Sequence, residues 1–95
     1  MILPIMKKWY DMILSGEKKE EYRNITKYYE TRFNNLFKNQ EDAWIMFRNG
    51  YSSKSPSFMA RCSLKKGFGH VEWGAEPETE YYILEIKEIL RDDRS

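Results

Sequence analysis

The chain contains one cysteine and one histidine. The lone cysteine, Cys62, excludes an internal disulfide. With His70 as the only other residue of the usual zinc-ligand types, a zinc site cannot be assembled, and neither a metal nor another cofactor is expected. No apolar run approaches the ~18 residues of a membrane-spanning helix. The opening stretch, Met1 to Met6, lacks the basic lead and long apolar core of a signal peptide. The chain therefore reads as cytoplasmic, with no membrane partner. Repeats, low-complexity tracts and linkers are also missing. The formal net charge is only +1, so any basic surface must come from the distribution of charge rather than from its total.

What remains suits one small domain over residues 1–95. A chain of 95 residues is enough for a single core and leaves little room for a second. Apolar residues make up 41% and aromatics 16%, so burial is feasible and general disorder is disfavoured. Seven Tyr and three Trp are many for this length. Such residues either fill a barrel interior with their polar ends satisfied or line a surface on which bases stack, and composition does not choose between the two.

Periodicity orders the chain. A short strand is expected at Ile2 to Ile5. A helix follows to Ser15, with Met6, Trp9, Tyr10, Ile13 and Leu14 at helical spacing. A strand around Glu20 to Arg23 precedes a second helix from about Thr26, with Tyr29, Phe33, Leu36 and Phe37 on one face and Asn24 or Thr26 as N-cap. Ala43 to Arg48 alternates as a strand with Ala43, Ile45 and Phe47 toward the core, and Asn49-Gly50 signals a turn. Ser52 to Ser57 is a polar loop. Phe58 to Lys65 alternates with Phe58, Ala60, Cys62 and Leu64 on the apolar face, which makes the thiol a small core hydrophobe rather than a nucleophile. Tyr81 to Leu90 is a last strand with Tyr82, Leu84 and Ile86 on one face. Strands outnumber helices, and the predicted class is α+β, mainly β: a small mixed barrel flanked by two or three helices.

Charge is unevenly spread. No acidic residue occurs from Ala43 to Val71, where Arg48, Lys54, Arg61, Lys65 and Lys66 alternate with Trp44, Phe47, Tyr51, Phe58 and Phe68. Stacking faces and phosphate-seeking cations together suit single-stranded or looped nucleic acid. Arg61 and Lys65 share strand parity and are predicted to project outward while Cys62 points in. The alternative is that strands simply carry lysines on their wet face.

The most informative stretch is Gly16-Glu17-Lys18-Lys19-Glu20-Glu21-Tyr22-Arg23. Gly16 sits where a helix end needs a left-handed backbone. A turn there places Lys18, Glu21 and Arg23 within a few residues of a rigid element. The competing reading is a solvated charge run inside one long helix, with Glu17 and Glu21 as surface neighbours.

Gly-x-Lys-x-x-Glu-x-Arg, filled here by Gly16, Lys18, Glu21 and Arg23 after Met12-Ile13-Leu14-Ser15, resembles the signature of the ASCH domain, a member of the PUA-like superfamily of small β-barrels. Phe47-Arg48-Asn49-Gly50-Tyr51, Gly67-Phe68-Gly69 with Glu72-Trp73-Gly74-Ala75, and the strand from Tyr81 to Leu90 are similar to small bacterial and phage members, so the resemblance covers nearly the whole chain. It implies a cleft beside the Gly-Lys turn that takes RNA or a modified nucleoside. Lys18 would supply a compact charge for a phosphate or polarised carbonyl, and Arg23 a planar fork for phosphate or a base edge. Glu21 would either hold those cations or act as a base or acceptor. Arg48, Asn49, Tyr51 and Trp73 would add a charge, an amide, a hydroxyl and a stacking face.

One departure bears on activity. ASCH enzymes that hydrolyse acetylated cytidine carry a threonine, the proposed nucleophile, where this chain has Glu21. A carboxylate removes that route but still activates water. The preferred expectation is a module that binds nucleic acid or a nucleotide, with RNA as the foremost partner. The alternatives are an enzyme with Lys18 and Glu21 as catalytic residues, either a hydrolase of a modified nucleoside or a ribonuclease, and, second, a protein-interaction module.

Overall fold

The structure, a computed structural model, describes residues 1–90. Along the chain run β1 (Ile2–Ile5), α1 (Lys7–Leu14), β2 (Glu20–Asn24), α2 (Lys27–Leu36), β3 (Asp42–Asn49), β4 (Ser57–Phe68) and β5 (Glu80–Leu90). A single 3-10 turn, Val71–Trp73, lies between β4 and β5. The strands form one sheet in the order β1-β3-β4-β5-β2, parallel between β1 and β3 and antiparallel elsewhere. The sheet curls into a half-barrel, the small mixed α+β architecture that the alternation predicts. A register shift between Arg61 and Cys62 in β4 marks a bulge, a device that bends and twists a strand.

The predicted strand faces are the observed ones. Ala43, Ile45 and Phe47 of β3 and Phe58, Ala60 and Cys62 of β4 are buried, with Leu3 and Ile5 of β1 beside them. Tyr10 and Ile13 of α1 and Phe33 of α2 fill the hollow of the curl. Thr26 is the α2 cap, its hydroxyl accepting from the Tyr29 N–H at 3.3 Å. Burial pushes the Cys62 thiol up to about 12, as befits an inert core side chain.

Two differences matter. β4 continues beyond Lys65 to Phe68, and β5 is buried on both faces from Tyr81 to Leu84, where alternation predicts one apolar face. The second face is covered because the chain after β4 folds back over it. Ala75 and Trp73 pack there against Tyr22, Tyr81 and Ile83. The Tyr22 hydroxyl fastens this layer, accepting from the His70 N–H at 2.9 Å and donating to Glu20 at 2.8 Å.

Candidate functional site

The helix ends where the sequence predicts. Gly16 has φ +85° and its N–H donates to the Ile13 carbonyl, a left-handed residue closing the last turn of α1. The Lys18 N–H then reaches back to the Met12 carbonyl at 2.9 Å, and β2 begins at Glu20. A continuous helix from Ile5 through Arg23 is thereby excluded. As alternate residues of one strand, Glu21 and Arg23 share a face, the same one as Leu84 and Tyr82 of β5.

Lys18, Glu21 and Arg23 converge. The Lys18 side chain is 1% exposed, and its Nζ lies 3.2 Å from Glu21 Oε1. The ammonium also donates to the Trp73 carbonyl and sits 4.9 Å and 4.7 Å from the ring centroids of Trp9 and Tyr22. Its hydrogen-bonding capacity is thus taken by two oxygens and two π-faces. Burial lowers the Lys18 proton affinity, with the Glu21 charge opposing that shift. Arg23 Nη1 bonds the other oxygen of Glu21 and, at 2.9 Å, the Tyr22 carbonyl. Arg23 Nη2 donates to the Pro4 carbonyl at 3.0 Å. β1 and β2 are the two edges of the curled sheet, so Arg23 bridges the seam that the strands leave open.

At this seam lies a pocket of about 580 Å³. Its charged lining residues are Glu21 and Arg23, and much of the rest is aromatic: Trp9 from α1, Tyr28 and Tyr29 from α2, Tyr51 from the β3–β4 connection and Trp73 from the 3-10 turn. Gly74, at φ +102°, permits the close approach of Trp9, since a Cβ there would come within 2.9 Å of the indole. The Glu21 carboxylate spends one lone pair on each cation and retains capacity for a ligand donor. Arg23 keeps its Nε–H and one Nη2–H beyond the bonds already named.

The predicted site residues fall into three places. Lys18, Glu21, Arg23, Tyr51 and Trp73 are gathered at the seam, with Lys18 beneath the pocket rather than in its lining. Arg48 and Asn49 stand at the end of β3, in register with Pro4 and Ile5 of β1. Arg61 and Lys65 do not line the pocket. Arg61 is bound by Asp42 and Glu88, and Lys65 by Glu20 and Glu85, all on neighbouring strands or at their ends. The acid-free stretch of sequence is therefore not an acid-free surface. Residues that sequence reasoning did not place at the site are Trp9, Tyr28, Tyr29 and the Pro4 carbonyl. Helical periodicity reads Trp9 and Tyr29 as core, and a backbone carbonyl leaves no trace in a sequence.

Among the described residues no helix is long and apolar enough to cross a membrane. No three His, Cys, Asp or Glu side chains among them converge as a metal site. Comparison with family models, curated proteins and solved structures finds no match for this chain.

Proposed function

We propose that the seam pocket binds a nucleobase, presented by RNA or by a free nucleotide, and that the protein is a binding module rather than a hydrolase. The observation that carries this reading is the combination of aromatic lining with one carboxylate and one guanidinium at the same pocket. A base is flat, so it stacks on aromatic side chains for roughly 1–3 kcal/mol each. Its edge carries donors and acceptors together, which match the spare lone pairs of Glu21 and the spare N–H groups of Arg23. The pocket volume of about 580 Å³ falls within the roughly 300–1,000 Å³ of small-molecule sites.

Binding is favoured over turnover by the engagement of Lys18. In the amidohydrolases that the Gly16-to-Arg23 motif resembles, a lysine activates a threonine. Here Glu21 occupies that position, and the Lys18 ammonium is already held by Glu21, the Trp73 carbonyl and two rings. Its job is to hold the carboxylate and the Trp73 segment in place.

The test uses tryptophan emission in a Trp44→Phe background, because Trp44 is on exposed β3 surface and the other two tryptophans line the pocket. Short single-stranded RNA and the four ribonucleosides should quench that emission saturably. Acetylated cytidine and mixed-sequence RNA should be recovered unchanged. Glu21→Gln should weaken binding by ~1–3 kcal/mol, because both cations lose their charged partner. Rapid release of acetate from acetylcytidine, lost in Glu21→Gln, would replace the binding module with an enzyme.

A further inference from the structure

The rings that border the seam pocket fall into two sets. Trp9, Tyr29 and Trp73 are half-buried and serve the fold. Trp9 lies against Gly74 and the Lys18 ammonium, Tyr29 stacks on Phe33 with centroids 5.4 Å apart, and Trp73 meets the His70 ring at 4.4 Å. Tyr28 and Tyr51 line the same pocket yet are 58% and 89% exposed, and Met6, which also lines it, is exposed too. The Tyr51 side chain makes no hydrogen bond and no ring contact among the described residues, so packing does not account for it. The connection that carries it is nevertheless tied down at both ends. The Gly50 N–H donates to the Ile5 carbonyl at 3.0 Å and the Asn49 N–H to the Pro56 carbonyl at 2.9 Å. Single exposed hydrophobics are ordinary, but three bordering one pocket mark a surface that is covered when in use.

Charge points to what covers it. Lys8 and Arg32 are exposed, and each stands against a lining ring: Lys8 Nζ is 4.8 Å from the Trp9 centroid and Arg32 Cζ 4.3 Å from that of Tyr28. Neither has an ion pair among the described residues, whereas Lys7 and Lys27, at the start of the same two helices, are paired with Asp11 and Glu30. Within the seam, Lys18 and Arg23 share the single carboxylate of Glu21. The surroundings of the exposed rings are thus electropositive, which suits a ligand that alternates flat bases with phosphates.

We propose that the seam pocket takes a single strand of at least two nucleotides: one base enters to meet Glu21 and Arg23, and its neighbour stacks on Tyr28 and Tyr51. The proposal rests on the base-binding reading and narrows its ligand from a base or free nucleotide to a strand. Stacking needs only a π-face, so the second position is not selective. Lys8 and Arg32 supply charge that attracts the strand's phosphates.

The experiment reads the emission of the pocket tryptophans in the Trp44→Phe background. The ribonucleoside that quenches best is offered as dinucleoside phosphates, with the second base on either side. Each is compared with the same compound carrying an abasic sugar in place of the second base. Both bear one phosphate, so the ratio of their affinities isolates the second base. That ratio should be about tenfold or more in favour of the dinucleoside on at least one side. It should fall toward one when Tyr28→Ala and Tyr51→Ala are combined, and survive when Tyr28→Phe and Tyr51→Phe are combined, which keeps both rings. Because the readout is a ratio, any effect of these changes on the first base cancels. Both side chains are exposed, so the variants should fold. A ratio near one in the Trp44→Phe protein, or one that survives the double alanine variant, would overturn the strand assignment and leave base binding standing. A ratio that changes more than tenfold with the identity of the second base would overturn the non-selective stacking position. Quenching by a proline-rich peptide that no dinucleoside displaces would give the exposed rings to a protein partner and overturn the proposal. Failure of every nucleoside and dinucleoside to quench would end both readings.

Discussion

Two clusters of oppositely charged side chains are set in this one sheet, and they differ chiefly in how much water reaches them. At the seam, the Lys18, Glu21 and Arg23 side chains are 1%, 6% and 15% exposed. On the outer surface of β3, β4 and β5, the Arg61, Asp42 and Glu88 side chains are 36%, 30% and 54% exposed. The chemistry is nearly the same in both places. In water an ion pair replaces hydration that was nearly as good, so it contributes little. Away from water, each charge depends on its partner, and removing one leaves the others stranded. The seam is therefore rigid because it is interdependent, whereas the surface pairs keep the strand face solvated and neutral. The two aims conflict at a ligand site, which needs fixed groups with capacity to spare. The seam meets both by having two cations hold one carboxylate.

The widest separation between the clusters should come from Glu21→Ala. The Lys18 ammonium and Arg23 guanidinium would lose their only carboxylate while staying largely buried. The expected cost is ~3–5 kcal/mol, the range for breaking a buried pair from one side. For a domain of this size each kcal/mol lowers the unfolding midpoint by about 4–8 °C, so the midpoint should fall by about 12–40 °C. Thermal and urea unfolding followed by circular dichroism checks this. A midpoint within a few degrees of the native value would show that water enters the seam and would erase the contrast.

A second, smaller effect concerns Lys18 and sharpens the comparison through pH. Burial lowers its proton affinity in the folded state below the value of 10.5 it has when free. Below the folded value both states hold the proton and no dependence arises. Between the folded value and 10.5 the unfolded chain binds more protons, so this group makes stability rise with pH. Lys18→Met should lose about 1.5–3 kcal/mol at neutral pH, since the Trp73 carbonyl and one oxygen of Glu21 lose a charged donor. The native-minus-variant difference in stability should then widen as pH climbs toward 10.5. Urea titrations of both proteins at several alkaline values decide it, and a difference that stays flat or narrows would place Lys18 in contact with solvent.

How much of this was legible in the sequence follows the same division. Local features were readable. The alternation of Phe58, Ala60, Cys62 and Leu64 marks a strand with a buried thiol, and Gly16 marks the end of α1 with its positive φ. Parity alone puts Glu21 and Arg23 on one face of β2. Pairing between distant strands was not readable. The carboxylates that hold Arg61 and Lys65 come from positions 20, 42, 85 and 88, outside the acid-free stretch, and only the sheet order brings them in. Burial of Tyr81 and Ile83 escapes alternation because the segment carrying Trp73 and Ala75 covers them from outside. Trp9 and Tyr29 are apolar-face residues of their helices, as their spacing says. Spacing does not say that those faces border an open hollow.

The smallest effect is expected where the sequence suggested a binding face. Arg61 lies between Asp42 and Glu88, and both carboxylates raise its proton affinity through hydrogen bonds, Glu88 foremost. The cluster is open to solvent, so salt screens it and water takes over from either partner. Arg61→Gln should leave the unfolding midpoint nearly where it is, in low salt and in 1 M salt alike. It should also leave the quenching of the pocket tryptophans by single-stranded RNA unaltered, since Arg61 does not line the pocket and its charge is already matched. The salt dependence of RNA binding sharpens the point. Each phosphate neutralised on a single strand adds about 0.7 to the slope of log affinity against log salt, so a strand lying across β4 would lose about 0.7 in this variant. An unchanged slope confines the nucleic acid to the seam, whereas a shallower one would extend the footprint over the outer sheet and make its paired cations partners in binding after all.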